Sequence, residues 1–306
     1  MTLVETMEYH IPVMLTECLE GLNIKPEGTY VDVTFGGGGH SKAILERIEA
    51  GKLLSFDQDD DARVKAEEIG SANFTFVQAN FRYLKRYLKL HGVKQVDGIL
   101  ADLGISSHQI DVAERGFSTR FDADLDMRMD QKASRTAMDV VNEYPEAELH
   151  KVLGMYGEVK NAKTLAAAIV SARSRGAIKS IQDLKSILEK LAPRNREFKY
   201  YAQVFQGLRI EVNDEIKALE DLLMQSLEVL APGGRIVVLS YHSLEDRMVK
   251  NFFNMGKFHG EVEKDFFGNQ LRPLRAITRK PVSPTEAEIK ANNRARSAKL
   301  RIAEKV

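Results

Sequence analysis

Four consecutive glycines, Gly36-Gly37-Gly38-Gly39, run into His40-Ser41 and form the densest chemical signal in this sequence of 306 residues. A backbone without Cβ atoms comes close to a ligand, and the N–H groups that open a helix favour negative charge. Asp57 stands 21 residues after Gly36, where a carboxylate at a strand end accepts hydrogen bonds from the two hydroxyls of a ribose. Asn80-Phe81 and Asp102 follow two further apolar runs. A ring such as Phe81 suits an adenine, although a buried phenylalanine ordinarily belongs to a core. Within the acidic run Asp57–Asp61, Asp59 or Asp60 fits a helix cap, which leaves Asp57 as the ribose candidate.

The elements that would position these residues alternate. Strands are predicted over 29–33, 52–56 (ending at Asp57), 74–77 and 96–101 (ending at Asp102), with helices over 41–50, 60–69 and 82–90. Such alternation implies an α/β doubly wound, mostly parallel sheet, whose ligands bind beyond the C-terminal strand ends. From 113 to 200 no strand pattern is found, and 145–156, 161–174 and 180–191 carry helical periodicity. Strand signal returns at 235–240, after the turn Pro232-Gly233-Gly234. The expected organisation is a discontinuous sheet domain, 1–112 and 201–306, with an inserted all-helical domain at 113–200.

Three ligand classes compete for the glycine loop. A phosphate loop ends Gly-Lys-Ser/Thr, and here His40 replaces the lysine, so that class fits poorly. A nicotinamide dinucleotide and S-adenosylmethionine both fit the loop and Asp57, which together point to an adenosine without choosing between them. A tight turn with no ligand remains the plain alternative, for which four glycines are more than is needed.

Composition narrows the setting. Hydrophobic residues make up 43% of the chain, enough for one or two cores, and the single cysteine, Cys18, excludes a disulfide framework and a four-cysteine zinc site. No His/Cys/Asp cluster has metal-ligand spacing, so no metal is expected. The start of the sequence, with Glu5 and Glu8, has no leader-like apolar run. No apolar stretch approaches the roughly 20 residues that span a bilayer, so a soluble, cytoplasmic protein is expected. Basic and acidic residues balance at 44 each. Residues 272–306, however, hold ten basic side chains against three acids, an asymmetry that suits phosphate contact or a solvated tail.

The blocks Asp32–Ser41, Asp102–Gln109, Glu114–Ser118, Leu125–Asp130, Val204–Asn213, Ser240–Arg247 and Asn293–Arg301 resemble, in order along nearly the whole chain, the bacterial 16S ribosomal RNA cytosine-N4 methyltransferases. The resemblance implies a class I methyltransferase fold with an inserted substrate-recognition domain. It implies S-adenosyl-L-methionine contacts at Gly38, Gly39, His40, Asp57, Phe81, Asp102 and Gln109. It implies a cytidine in the decoding region of 16S ribosomal RNA, within the small ribosomal subunit, as substrate. Departures are few: Gly37 falls at a variable position, His108 and Asn293 replace common prolines, and Gly207 replaces a common alanine.

Asp102 is also the candidate catalytic group. Related amino-methyltransferases of DNA carry Asp/Asn-Pro-Pro-aromatic at this strand end, and here Asp102-Leu103-Gly104-Ile105 keeps the acid alone. Stacking on the base then falls to another ring, Tyr241 or Phe117. His242 is a candidate RNA contact whose plainer role is structural, and Arg294, Arg296 and Lys299 are candidate phosphate contacts. Asn213-Asp214-Glu215 reads as a plain helix start. Leu125–Asp130 reads equally as a positioning loop or a solvated surface.

Overall fold

Runs of β-branched and aliphatic residues with no polar alternation, such as Ile99-Leu100-Ala101 and Ile236-Val237-Val238-Leu239, belong to strands covered on both faces, and all of these residues are buried. The computed structural model describes residues 12–260, 262, 264–268 and 270–306. Glu5 and Glu8 lie outside the described residues.

In chain order the first unit opens with α1 (Leu15–Leu22), β1 (Thr29–Asp32), α2 (Gly39–Leu45), β2 (Lys52–Asp57), α3 (Asp60–Glu67), β3 (Phe74–Gln78), α4 (Leu84–Leu90) and β4 (Val96–Asp102). A second unit, Ile105–Ala218, holds α5 (Ser107–Asp111), α6 (Ala137–Glu143), α7 (Glu146–Lys151), α8 (Ala162–Arg173), α9 (Ile181–Leu188) and α10 (Glu197–Asn213). The first unit resumes at Leu219, within α11 (Glu215–Val229). It continues through β5 (Leu230–Ser240), α12 (Ser243–Met255), β6 (Leu274–Ala276), α13 (Glu286–Ala291) and β7 (Lys299–Lys305). The expected insert at 113–200 falls wholly inside the second unit, which reaches further at both ends.

The first unit is a seven-stranded sheet in the order β3-β2-β1-β4-β5-β7-β6. Neighbours from β3 to β5 are parallel, and β7 is antiparallel to both β5 and β6. This is the doubly wound, mostly parallel sheet that the sequence leads one to expect. The order reverses at β1, which lies between β2 and β4, so the loop after β1 opens at the topological switch point. Apolar side chains fill the two sheet faces in separate clusters, one including Val31, Leu54 and Ile99 and the other Tyr30, Leu53 and Leu100. Successive residues of one strand thus enter opposite layers. Among the described residues, no helix is long and apolar enough to cross a membrane.

The second unit has its own core, with Leu125, Val140, Leu153, Leu165, Leu184 and Leu208 buried in it. Helix α7 passes directly into a π-helical turn, Val152–Tyr156, and α10 packs closely on it. A Cβ on Gly207 would lie 3.0 Å from the Gly157 nitrogen and 3.2 Å from the Val152 oxygen. Gly207 therefore lets two backbones approach closely.

Two readings change here. Leu125–Asp130 is no solvated surface, since Leu125 and Met127 are fully buried. Arg115, itself buried, donates to the Arg128 and Met129 carbonyls and fixes the loop from below. Asn213 ends α10 rather than starting a helix. Its amide clamps the same loop, donating to the Met127 carbonyl at 2.8 Å and accepting from the Met129 nitrogen at 2.7 Å. Asp214 then takes a left-handed conformation, and Glu215 begins α11 while holding Arg209 by two hydrogen bonds.

Candidate active site

The glycine loop is shaped from beneath by an aromatic side chain. Gly36 and Gly38 have φ of 52° and 79°, the left-handed region where glycine is favoured. The Phe35 ring lies under Gly38, so close that a Cβ there would come within 2.7 Å of it. Phe35 is held in turn by Phe74 and Phe76, the latter edge-on at 5.3 Å. A Cβ on Gly39 would meet Pro12 at 2.3 Å, whereas one on Gly37 would meet nothing within 4 Å. Three glycines are thus required by the loop's shape or packing, and Gly37 alone faces open space.

Two carboxylates flank the loop, one fully buried and one half-buried. Asp32, at the end of β1, is fully buried. It accepts from the Thr34 nitrogen at 3.1 Å and from the Ser41 hydroxyl at 2.6 Å, spanning the loop from entry to first helical turn. Burial pushes its carboxyl above the usual range, against the pull of His40 and of these donors. At the end of β4, the Asp102 nitrogen donates to the Thr34 hydroxyl at 2.7 Å, which ties the two strand ends together.

The Asp102 carboxylate has a side-chain partner for each oxygen. Tyr241, just after β5, donates its hydroxyl to Oδ1 at 2.7 Å. The His40 Nδ1 lies 3.8 Å from Oδ2, and its Nε2 is 3.1 Å from the Val13 carbonyl. The Asp102 side chain remains 24% exposed while His40 is only 7% exposed, so the acid keeps an open flank. Burial raises the Asp102 carboxyl, opposed by His40 and by the Tyr241 hydroxyl. Burial and the adjacent carboxylate also push the Tyr241 phenol far up, which keeps its proton in place.

Asp57 is built differently. Its Oδ2 accepts from the Gly36 nitrogen at 2.8 Å and its Oδ1 from the Asp59 nitrogen at 3.0 Å. The acid at the end of β2 therefore supports the glycine loop directly. Burial pushes its carboxyl up to about 6, although both backbone donors pull it down. Asp59 is the N-cap of α3, accepting from the Asp61 nitrogen. After β3, Asn80 donates to Gln58 at 2.8 Å and joins the β2 and β3 loops. Phe81 is half-buried and packs against the core cluster on one sheet face.

The remaining predicted residues fall in three places. Gln109 lies in the second unit, buried in α5, where it closes a capping box with Ser106. Phe117 is a buried core residue of that unit. His242 is the N-cap of α12: its Nδ1 accepts from the Glu245 nitrogen, and the Glu245 carboxylate accepts from the Tyr241 and His242 nitrogens. The plainer, structural role for His242 is thus realised, and it orients the turn that carries Tyr241. Of the tail residues, Arg296 is exposed and Arg294 half-buried. Lys299 begins β7 and lies 3.4 Å from Asp246. The tail is therefore no merely solvated segment, for its last stretch is an inner strand of the sheet.

Three contributors escaped the sequence reading: Asp32, Thr34 and Glu245. The usable signal was position, since each directly precedes the loop, sits in it, or stands three residues after a helix start. Glycine backbone, Asp57 and Asp102 share the C-terminal ends of β1, β2 and β4, which are neighbours in one unit. That arrangement fits a ligand with an adenosine at one end and a small charged group at the other.

The comparisons choose among such ligands. A family model described as the MraW methylase family matches residues 7–306. The chain is 59% identical to the Ribosomal RNA small subunit methyltransferase H of Cytophaga hutchinsonii, covering 97% of this chain and 99% of that protein. It is 57% identical to the protein of the same name from Flavobacterium johnsoniae, covering 98% and 99%. With the counterpart from Bacteroides thetaiotaomicron the identity is 54%, over the same shares. A nicotinamide enzyme is thereby excluded, and the loop, the strand-end acids and the full-length match converge: the chain belongs to the MraW methylase family and is an S-adenosylmethionine-dependent methyltransferase.

Proposed function

We propose that this enzyme methylates the exocyclic N4 amine of a cytidine in the decoding region of 16S ribosomal RNA, presented by the small ribosomal subunit in the cytoplasm. The observation that carries this reading is the match along nearly the whole chain to relatives named as ribosomal RNA small subunit methyltransferases. When bound, S-adenosylmethionine supplies an electrophilic methyl group. Gly38, Gly39 and His40 would hold its methionine end, Asp57 its ribose hydroxyls and Phe81 its adenine, with Asp102 completing the contacts.

The amine of cytosine is a weak nucleophile because its lone pair is delocalised into the ring. A carboxylate that accepts one N–H turns the lone pair toward the methyl group and then takes the surplus proton, directly or through water. The open flank of Asp102 suits it to that task. Tyr241 keeps its proton and holds the carboxylate in one orientation, and in-line positioning contributes much of the rate. The target base must leave its stack to react. On this reading the helical second unit grips the surrounding RNA, Tyr241 and His242 border the base, and Arg294, Arg296 and Lys299 meet phosphates.

The test is incubation with labelled S-adenosylmethionine and small ribosomal subunits, followed by nucleoside analysis. N4-methylcytidine is the expected product, and label confined to another base would overturn the substrate.

A further inference from the structure

A second surface of the first unit has the makings of a nucleic-acid contact. Between α12 and β6, Lys264 is bridged to Gln270 and residues 266–267 form a turn. Asp265 shapes its tip: its side chain accepts from the Phe267 nitrogen and its carbonyl from the Gly268 nitrogen, with Gly268 at φ 83°. The tip presents Phe266 and Phe267, 97% and 85% exposed, edge to face at 5.6 Å. Two such exposed rings have no packing role in the fold.

A basic groove adjoins the tip. Arg272, which hydrogen-bonds Gln270, lines it together with Arg275, Arg279 and Asn254. All three arginines are exposed, and Arg275 pairs with Glu304. The groove also includes Val306. Residues 264–280 hold five basic side chains and one acid.

The sheet register fixes where this surface lies. Arg275 pairs with Glu304, and Glu304 with Arg235 near the start of the parallel run of β5, whereas Leu239, at its far end, pairs with Asp102. The groove thus sits toward the end of the sheet opposite the reacting carboxylate, ~13 Å away along the strand direction alone. A single nucleotide held at Asp102 does not reach it, but a longer strand does.

We infer that this turn and groove bind a single-stranded stretch of RNA outside the reacting nucleotide, with bases stacking on Phe266 and Phe267 and phosphates resting on Arg272 and Arg279. Aromatic platforms beside a basic groove bind single strands with little sequence preference. Addition of a protein strand to the open edge is disfavoured, because β6 is three residues long, preceded by Pro273, and carries Arg275. The inference rests on the RNA substrate proposed above.

The test measures binding of a fluorescent oligouridine by anisotropy across a salt series, using the full chain, F266A/F267A and R272Q/R279Q. The expected result is about tenfold weaker binding by F266A/F267A. For R272Q/R279Q the log–log salt slope should be shallower by about 1.4, the value for two phosphate contacts on a single strand. S-adenosylmethionine affinity and the unfolding temperature report that each variant is folded. Oligouridine binding and salt slope unchanged in both variants would overturn the inference. So would rings needed only for binding to anionic vesicles, or only for self-association by light scattering. Failure of the wild-type chain to methylate cytidine, with both binding effects present, would sink the substrate assignment and leave this surface standing.

Discussion

Asp57 and Asp102 occupy equivalent places, each closing a parallel strand beside the glycine loop, yet they are held by different kinds of partner. Both Asp57 oxygens accept from backbone nitrogens, those of Gly36 and Asp59. Asp102 is met by the side chains of Tyr241 and His40. An acid engaged by backbone defines the shape of its loop and works as scaffold and binding group together. An acid engaged by side chains can be tuned through them without reshaping the fold. On the proposed function, the pair would divide binding from chemistry within one unit.

The sharpest way to break this division is Asp102→Ala. Turnover should fall by about 10²-fold or more, while S-adenosylmethionine affinity, measured by calorimetry, changes less than about tenfold. An affinity loss as large as the turnover loss would reduce Asp102 to a cofactor contact. Next is Asp57→Asn, expected to weaken cofactor binding by ~1–3 kcal/mol and to leave turnover at saturating cofactor nearly intact.

The same variant tests the pH dependence. Asp57 titrates at about 6 in the fold, above its unfolded value near 3.9, so folding favours the protonated acid. Its ionisation therefore lowers stability as pH rises from about 4 through about 6. Ribose hydroxyls favour the ionised form, so cofactor affinity should rise over the same upper range. Asp57→Asn should flatten both trends, and a wild-type affinity with no pH dependence between 5 and 7 would contradict the ribose role.

A smaller change is expected from Tyr241→Phe. It removes a donor that lowers the Asp102 pKa, so the acid limb of the turnover profile should move to higher pH, with roughly tenfold lower turnover. An unmoved limb would separate Tyr241 from the chemistry. The least effect belongs to Gly37→Ala, within about 0.5 kcal/mol in thermal unfolding because its Cβ meets open space. Gly38→Ala, left-handed and against Phe35, should lose on the order of 2 kcal/mol.

The sequence disclosed what is local. Glycines followed by His40-Ser41, the acids Asp57 and Asp102 closing two strands, and helical spacing between strands could all be read in windows of ten residues. What escaped depends on partners far along the chain. The segment Lys299–Lys305 resembles a charged tail, yet Arg301 is buried because Asp246 on α12 takes its guanidinium at 2.7 Å. Asn213 resembles a helix start, and only the folded chain brings Met127 and Met129 to its amide. Tyr241 was picked out as a ring for stacking, whereas its hydroxyl on Asp102 needs β4 and β5 side by side.

The placement of β7 bears on how the enzyme comes to be made. β5 is synthesised some sixty residues before the strand that covers its outer edge. Until β7 arrives, the nascent sheet ends in an open, strongly apolar strand of the kind that pairs with other chains. A chain cut short before Lys299 would leave that edge bare and should be recovered as aggregate. Folding of the sheet thus waits on β7, whose insertion closes the open edge of β5.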